Sequence, residues 1–173
     1  MKDLKINDKI TFGNYYGEPL EWIVLDIKDD NALIITSDIV DCIPFGVKDT
    51  NYKDSKIRYF LNNKFIDKAF KDEEKMFINK ICLEDIECVN DYVFLLSMNE
   101  AKKYLTTKEL RYASCNHHAI INGGNERSSG HAYWLRTFDE NNFVYYIDET
   151  CYISSHFINA KYCLRPACWI KIK

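Results

Sequence analysis

Tyr162-Cys163-Leu164-Arg165-Pro166-Ala167-Cys168-Trp169-Ile170 lies near the end of the chain, and His131-Ala132-Tyr133-Trp134-Leu135-Arg136 precedes it with the same composition, one arginine among large apolar residues. A guanidinium is costly to bury alone, so Arg136 and Arg165 each require a set of carbonyl or carboxylate partners. This pattern assigns both arginines, together with Trp22, Trp134 and Trp169, a structural role in which aromatic packing and charge-assisted hydrogen bonds tie loops to a sheet. A ligand-contacting role is the minority alternative.

Outward from these stretches the order of elements is α+β. Lys9 to Phe12, Leu20 to Ile27 and Ala32 to Thr36 read as strands of a meander, with turn residues between them. Asp54 or Ser55 caps a helix whose Ile57, Phe60 and Leu61 recur at the spacing of one buried face. Short helices follow over Phe65 to Phe70 and from Asp72. Tyr92 to Leu96 is a nearly all-apolar run read as a buried strand, and it feeds a helix from Met98 to Leu105 through a capping box, Ser97 with Glu100. Ser114 to Gly130 is polar and turn-rich and reads as the longest loop. Val144 to Ile147, Cys151 to Ser154 and Leu164 to Ile172 read as strands.

The 173 residues fit one domain, 1–173, with a single core. Aromatics make up 14%, including 12 Tyr and 10 Phe, which favours a sheet-containing fold. A net charge of −3 with scattered basic residues leaves no footprint for a phosphate backbone, so nucleic acid is not an expected partner. No signal-peptide pattern and no membrane-length apolar run is present, and the expectation is a cytoplasmic chain without membrane contact. Seven cysteines, an odd number, then read as reduced thiols acting as small hydrophobes, with no disulfide framework.

Five stretches carry a resemblance: Pro19-Leu20-Glu21-Trp22-Ile23-Val24-Leu25; Asp54 to Asn62; Val93-Phe94-Leu95-Leu96-Ser97 with Glu100; Trp134-Leu135-Arg136; and Leu164 to Trp169. In this order they resemble an uncharacterised bacterial domain family that typically reads IEWxVL, SxIRxWLN, VFLLSxxE, WWLRS and GVRPALW. The chain departs from it with Tyr133 for the first tryptophan, Thr137 for serine, and Cys163 and Cys168 in the last motif. The family is similar in turn to the C-type-lectin-like fold shared by formylglycine-generating enzymes and hypervariable bacterial ligand-binding proteins. The resemblance implies a small, twisted, mainly antiparallel sheet with two or more packed helices, whose first and last strands pair.

Three groups of residues are candidates for chemistry. Cys163 and Cys168 resemble the cysteine pair with which formylglycine-generating enzymes hold Cu(I), and soft thiolates do select that ion. Residues five apart in a regular strand face opposite sides, so the pair needs a bulge, as at Pro166. Cys115 and His117, with His131, offer zinc-type ligands at a spacing that matches no standard template, and a solvated loop is the simpler account. Lastly, Asn116, His117, His118, Asn122, Asn125 and Arg127 with Tyr145 and His156 combine adaptable hydrogen bonding with aromatic contacts. The leading expectation is therefore a non-catalytic domain that recognises a protein or small ligand, without cofactor; the alternative is a copper-dependent thiol oxidase.

Overall fold

The computed structural model describes residues 4–47, 50–86, 89–123 and 131–172. β1 (Lys9–Tyr15), β2 (Glu18–Lys28) and β3 (Asn31–Thr36) form the expected meander. Both hairpins turn through two residues, Tyr16-Gly17 and Asp29-Asp30, since Tyr15 pairs with Glu18 and Lys28 with Asn31. Tyr16, Gly17 and Asp29 have positive φ, the handedness that matches strand twist in tight hairpins. β11 (Ala167–Lys171) then adds antiparallel to β3, giving the order β1-β2-β3-β11.

A second sheet takes the order β4 (Asp41–Cys42), β10 (Cys163–Leu164), β7 (Tyr133–Phe138), β8 (Val144–Ile147) and β9 (Ile153–His156). Its pairings are antiparallel except for β10 with β7. A two-stranded ribbon joins β5 (Ile81–Cys82) to β6 (Asn90–Asp91). The protein is thus a mixed α/β structure with antiparallel, curled sheets and short helices.

Ser55 caps α1 (Lys56–Tyr59) by accepting from the Arg58 amide at 3.1 Å. The helix runs on through a π turn (Phe60–Phe65) into α2 (Ile66–Ala69), burying Ile57, Leu61, Phe65, Ile66 and Ala69 along one side. The π turn presents Asn62 to the 90s segment. Its Oδ1 accepts from the Tyr92 amide and its Nδ2 donates to the Val93 carbonyl, both at 2.8 Å, so one side chain does the work of a pairing strand. Beyond these lie α3 (Asp72–Lys75), α4 (Met98–Tyr104), α5 (Lys108–Arg111) and α6 (His117–Ile121).

Three expectations are corrected. Tyr92 to Leu96 is buried in part but is not a strand; only Phe94 bridges Ala167. The loop expected from Ser114 to Gly130 contains α6, capped by Asn116, whose side chain accepts from the Ala119 amide at 2.8 Å. The first and last strands do not pair, because β11 takes the edge beside β3 and β1 holds the opposite edge.

Gly13 marks a close approach. It has φ of 79°, and a Cβ there would lie 2.6 Å from the Ala69 carbonyl oxygen and 2.7 Å from the Phe70 ring. Gly17 also has positive φ, 89°, but a Cβ would meet nothing within 4 Å. In urea denaturation Gly13→Ala is expected to cost about 2 kcal/mol or more through backbone displacement, and Gly17→Ala only the ~1 kcal/mol of left-handed strain.

Candidate functional site

The two motif arginines are buried and differently bonded, and Nη2 of Arg165 has no hydrogen-bond partner among the described residues. Arg136, 2% exposed on β7, donates to Asp85 through Nε (2.9 Å) and Nη2 (2.6 Å), and through Nη1 to Glu100 and the Leu95 carbonyl, both at 2.6 Å. Glu100 serves twice, since it also closes the α4 capping box on the Ser97 amide. Arg165, 1% exposed, uses carbonyls instead: Nε donates to Thr36 (2.8 Å) and Nη1 to Leu110 (2.7 Å) and the Tyr133 hydroxyl (3.0 Å). Trp22 is fully buried and donates to the Phe12 carbonyl at 2.7 Å, and Trp134 packs against Phe45 and Tyr162. Trp169 alone among the three tryptophans is half-buried and borders open space. Arg136→Ala leaves the buried Leu95 carbonyl unmet and removes the cation from two carboxylates that are each about a third exposed, and Arg165→Ala leaves three acceptors unmet, so each is expected to cost about 2–4 kcal/mol in chemical denaturation.

The histidine-bearing segment turns inward. The buried Asp41 carboxylate accepts from the Tyr15 hydroxyl (3.1 Å), the Asn122 amide (3.0 Å) and its neighbour's backbone amide (2.8 Å), with His118 Nε2 at 3.4 Å. Burial and the Asp41 charge push the Tyr15 hydroxyl well above its ordinary pKa, so it stays a donor. Tyr16 stacks on His118 at 3.7 Å between centroids. Asn116 acts as a helix cap, and His117 is exposed.

Tyr145 and His156 sit elsewhere. They lie on β8 and β9, where the His156 ring meets Tyr146, Phe157 and Tyr162 edge-on. β4, carrying Asp41, and β9 form opposite edges of the five-stranded sheet, so the structure does not bring the two halves of the expected recognition surface together. Four strand spacings, roughly 19 Å measured along the curled sheet, lie between these edges. Asn125 and Arg127 lie outside the described residues.

The cysteines require a further correction. Cys42 and Cys163 form a disulfide across a sequence separation of 121, where only reduced thiols were expected. The bridge follows from the antiparallel pairing of β4 with β10, a non-local register that cysteine spacing does not reveal. Cys168 does not partner Cys163. Arg165-Pro166 breaks the strand, sending Cys163 into one sheet and Cys168 into the other, opposite Ile34. Burial alone drives the Cys168 thiol far above its ordinary pKa. The sulfur cluster that forms among the described residues is Cys42, Cys115 and Cys163, and neither His117 nor His131 joins it. A bridge closing so long a loop is expected to contribute about 2–4 kcal/mol. Calorimetry with and without a dithiol reductant should therefore show the melting temperature falling by several degrees on reduction.

A cleft of about 780 Å³ opens beside Trp169, lined by the β2–β3 turn (Lys28, Asp29, Asn31), residues 79–84, α4 (Asn99, Glu100, Lys103, Tyr104) and Lys171. The Lys28 ammonium lies 5.8 Å from the Trp169 ring centre. Tyr104 donates to Asp26 at 2.9 Å while Lys103 donates to the Tyr104 hydroxyl at 2.8 Å. Asn79 donates to Asn31 at 2.7 Å and anchors this wall. Four lysines (28, 80, 103, 171) face three carboxylates (Asp29, Glu84, Glu100); Glu100 is already paired with Arg136, and Lys103 lies 4.0 Å from Asp26. The lining therefore carries a small excess of positive charge, with an aromatic wall.

Comparison with known families matches residues 29–172 to the family described as Domain of unknown function (DUF6273). The chain belongs to this family. No curated protein and no solved structure matches it. The DUF6273 match begins in the β2–β3 turn, so it takes in both buried arginines, the three clustered cysteines and every cleft residue except Lys28. Sequence reasoning gave Trp169 a structural role and did not assign the cleft as a site, because the lining comes from four separated segments whose residues have no local spacing in common. The α6 helix did leave a local sign, the capping residue Asn116 ahead of Ala119, Ile120 and Ile121.

Proposed function

We propose that this chain is a non-catalytic recognition domain whose cleft at Trp169 takes a small, flat, anionic ligand. The cleft itself carries the reading. Its volume falls within the range of small-molecule sites, and it combines a half-buried indole with an excess of ammonium groups, features that recognise a planar group and a negative charge respectively. The fixed wall, with α4 capped by Ser97 and Glu100 and Glu100 held by Arg136, supports a pre-formed site.

For the scaffold we infer a distant C-type-lectin-like relationship. Two curled antiparallel sheets with short helices against them support it, and the placement of β11 beside β3 is where this chain departs from the expected strand pairing. The copper-dependent oxidase alternative loses its cysteine pair, because Cys163 is bonded to Cys42.

The test is a screen of aromatic mono- and dicarboxylates and aryl phosphates by ligand-observed NMR, followed by titration of the best binder. Trp169→Ala is expected to abolish binding and Lys28→Ala with Lys103→Ala to weaken it by roughly tenfold, with affinity falling as salt rises. Binding that survives Trp169→Ala unchanged, or hits whose affinity ignores salt, would place recognition elsewhere.

A further inference from the structure

We infer that reduction of the Cys42–Cys163 bridge converts this corner of the second sheet into a three-thiolate site for a soft monovalent metal ion, with Cu(I) the best match. The ligand atoms of Cys42, Cys115 and Cys163 all lie within 4.8 Å of one another. Each comes from a different segment, and each segment is fixed by backbone pairing. Cys42 pairs with Cys163 between β4 and β10; the Cys163 amide donates to the Ala132 carbonyl at 3.0 Å; and Cys115 bridges Ile39, with the next amide, Asn116, donating to the Ile39 carbonyl at 2.9 Å. The sulfurs are therefore held together by the fold and not by the disulfide alone. Cys163 is buried and the other two are partly exposed, which leaves a route for an ion.

The shape of the cluster separates metal binding from simple thiol exchange. Attack of a third thiolate on a disulfide needs the three sulfurs nearly in line, which sets the outer pair roughly 5.5 Å apart, a contact distance of about 3.5 Å plus the S–S bond. A cluster in which every sulfur pair is within 4.8 Å is a compact triangle instead. Three thiolates around one ion at a metal–sulfur distance of about 2.3 Å stand about 4 Å apart, which such a triangle can accommodate. Zinc in a closed protein site takes four ligands, and among the described residues the cluster supplies three; soft sulfur donors select Cu(I). The chemistry balances with a dithiol as reductant. The S–S bond accepts two electrons and two protons to give two thiols while the dithiol becomes a disulfide, and three Cu–S bonds then form as the three thiols release their protons to solvent.

The test is an anaerobic titration of Cu(I), supplied as its bicinchoninate complex, into the full chain before and after reduction and removal of the dithiol. Reduced wild type is expected to withdraw one more equivalent than the oxidised protein, and to recover on Cu(I) loading the melting temperature lost on reduction. Cys115→Ser keeps the bridge as purified and should fold normally. After reduction it is expected to hold that equivalent at least roughly tenfold more weakly and to recover less of its melting temperature. Cys168→Ser should titrate like wild type. X-ray absorption of the loaded protein should show three sulfur neighbours. Equal uptake by wild type and Cys115→Ser, or a coordination number of two sulfurs, would overturn the assignment.

Discussion

The Arg165 guanidinium is the junction on which the arrangement of the two sheets depends. It sits at the break between β10 and β11, where the chain leaves the five-stranded sheet and enters the four-stranded one. Its donors reach the Thr36 carbonyl at the end of β3, the Leu110 carbonyl of α5 and the Tyr133 hydroxyl of β7, so one buried cation is bonded to both sheets and a helix. Those acceptors are dipoles rather than a carboxylate. They compensate the charge only while all are aimed at it, and that requirement constrains the relative position of the elements. Pro166 assists, since it interrupts the ladder on one side while its carbonyl accepts from the Thr36 amide at 3.0 Å.

Arg136 fills a parallel role with charged partners. Asp85 comes from the segment between β5 and β6, Glu100 from the first turn of α4, and the guanidinium from β7, so three separate parts of the chain converge on one group. Asp91 shows the same economy, being buried and held by Arg58 from α1 at 2.8 Å. Groups of this kind are weak contributors to net stability but costly to break, which favours one arrangement of elements over others.

Two surfaces of different chemistry result. The cleft at Trp169 is built where the β2–β3 turn, α4 and β11 come together, and its lysines surround an aromatic wall. The sulfur triangle lies where β4, β10 and Cys115, the residue before the α6 cap, meet, and the Asp41 network occupies the same strand as Cys42. Successive residues of a strand face opposite sides, so Asp41 and Cys42 direct a hydrogen-bonded network and a sulfur cluster to different faces of β4. No helix among the described residues is long and apolar enough to cross a membrane.

Local signals were enough to read the β1–β3 meander, the Ser55 cap, the Ser97–Glu100 capping box and the mixed α/β class, because each depends on residues within a few positions of one another. The sequence also required that Arg136 and Arg165 have partners, since the cost of a lone buried guanidinium does not depend on the fold. It could not name those partners: Asp85 is 51 residues from Arg136, and Thr36 is 129 from Arg165. The Cys42–Cys163 bridge, the third sulfur beside it and the composition of the cleft are likewise products of strand order and register. Strand order brings distant residues together according to which sheet edges are open and which faces must be buried, and that choice belongs to the whole chain rather than to any window of it.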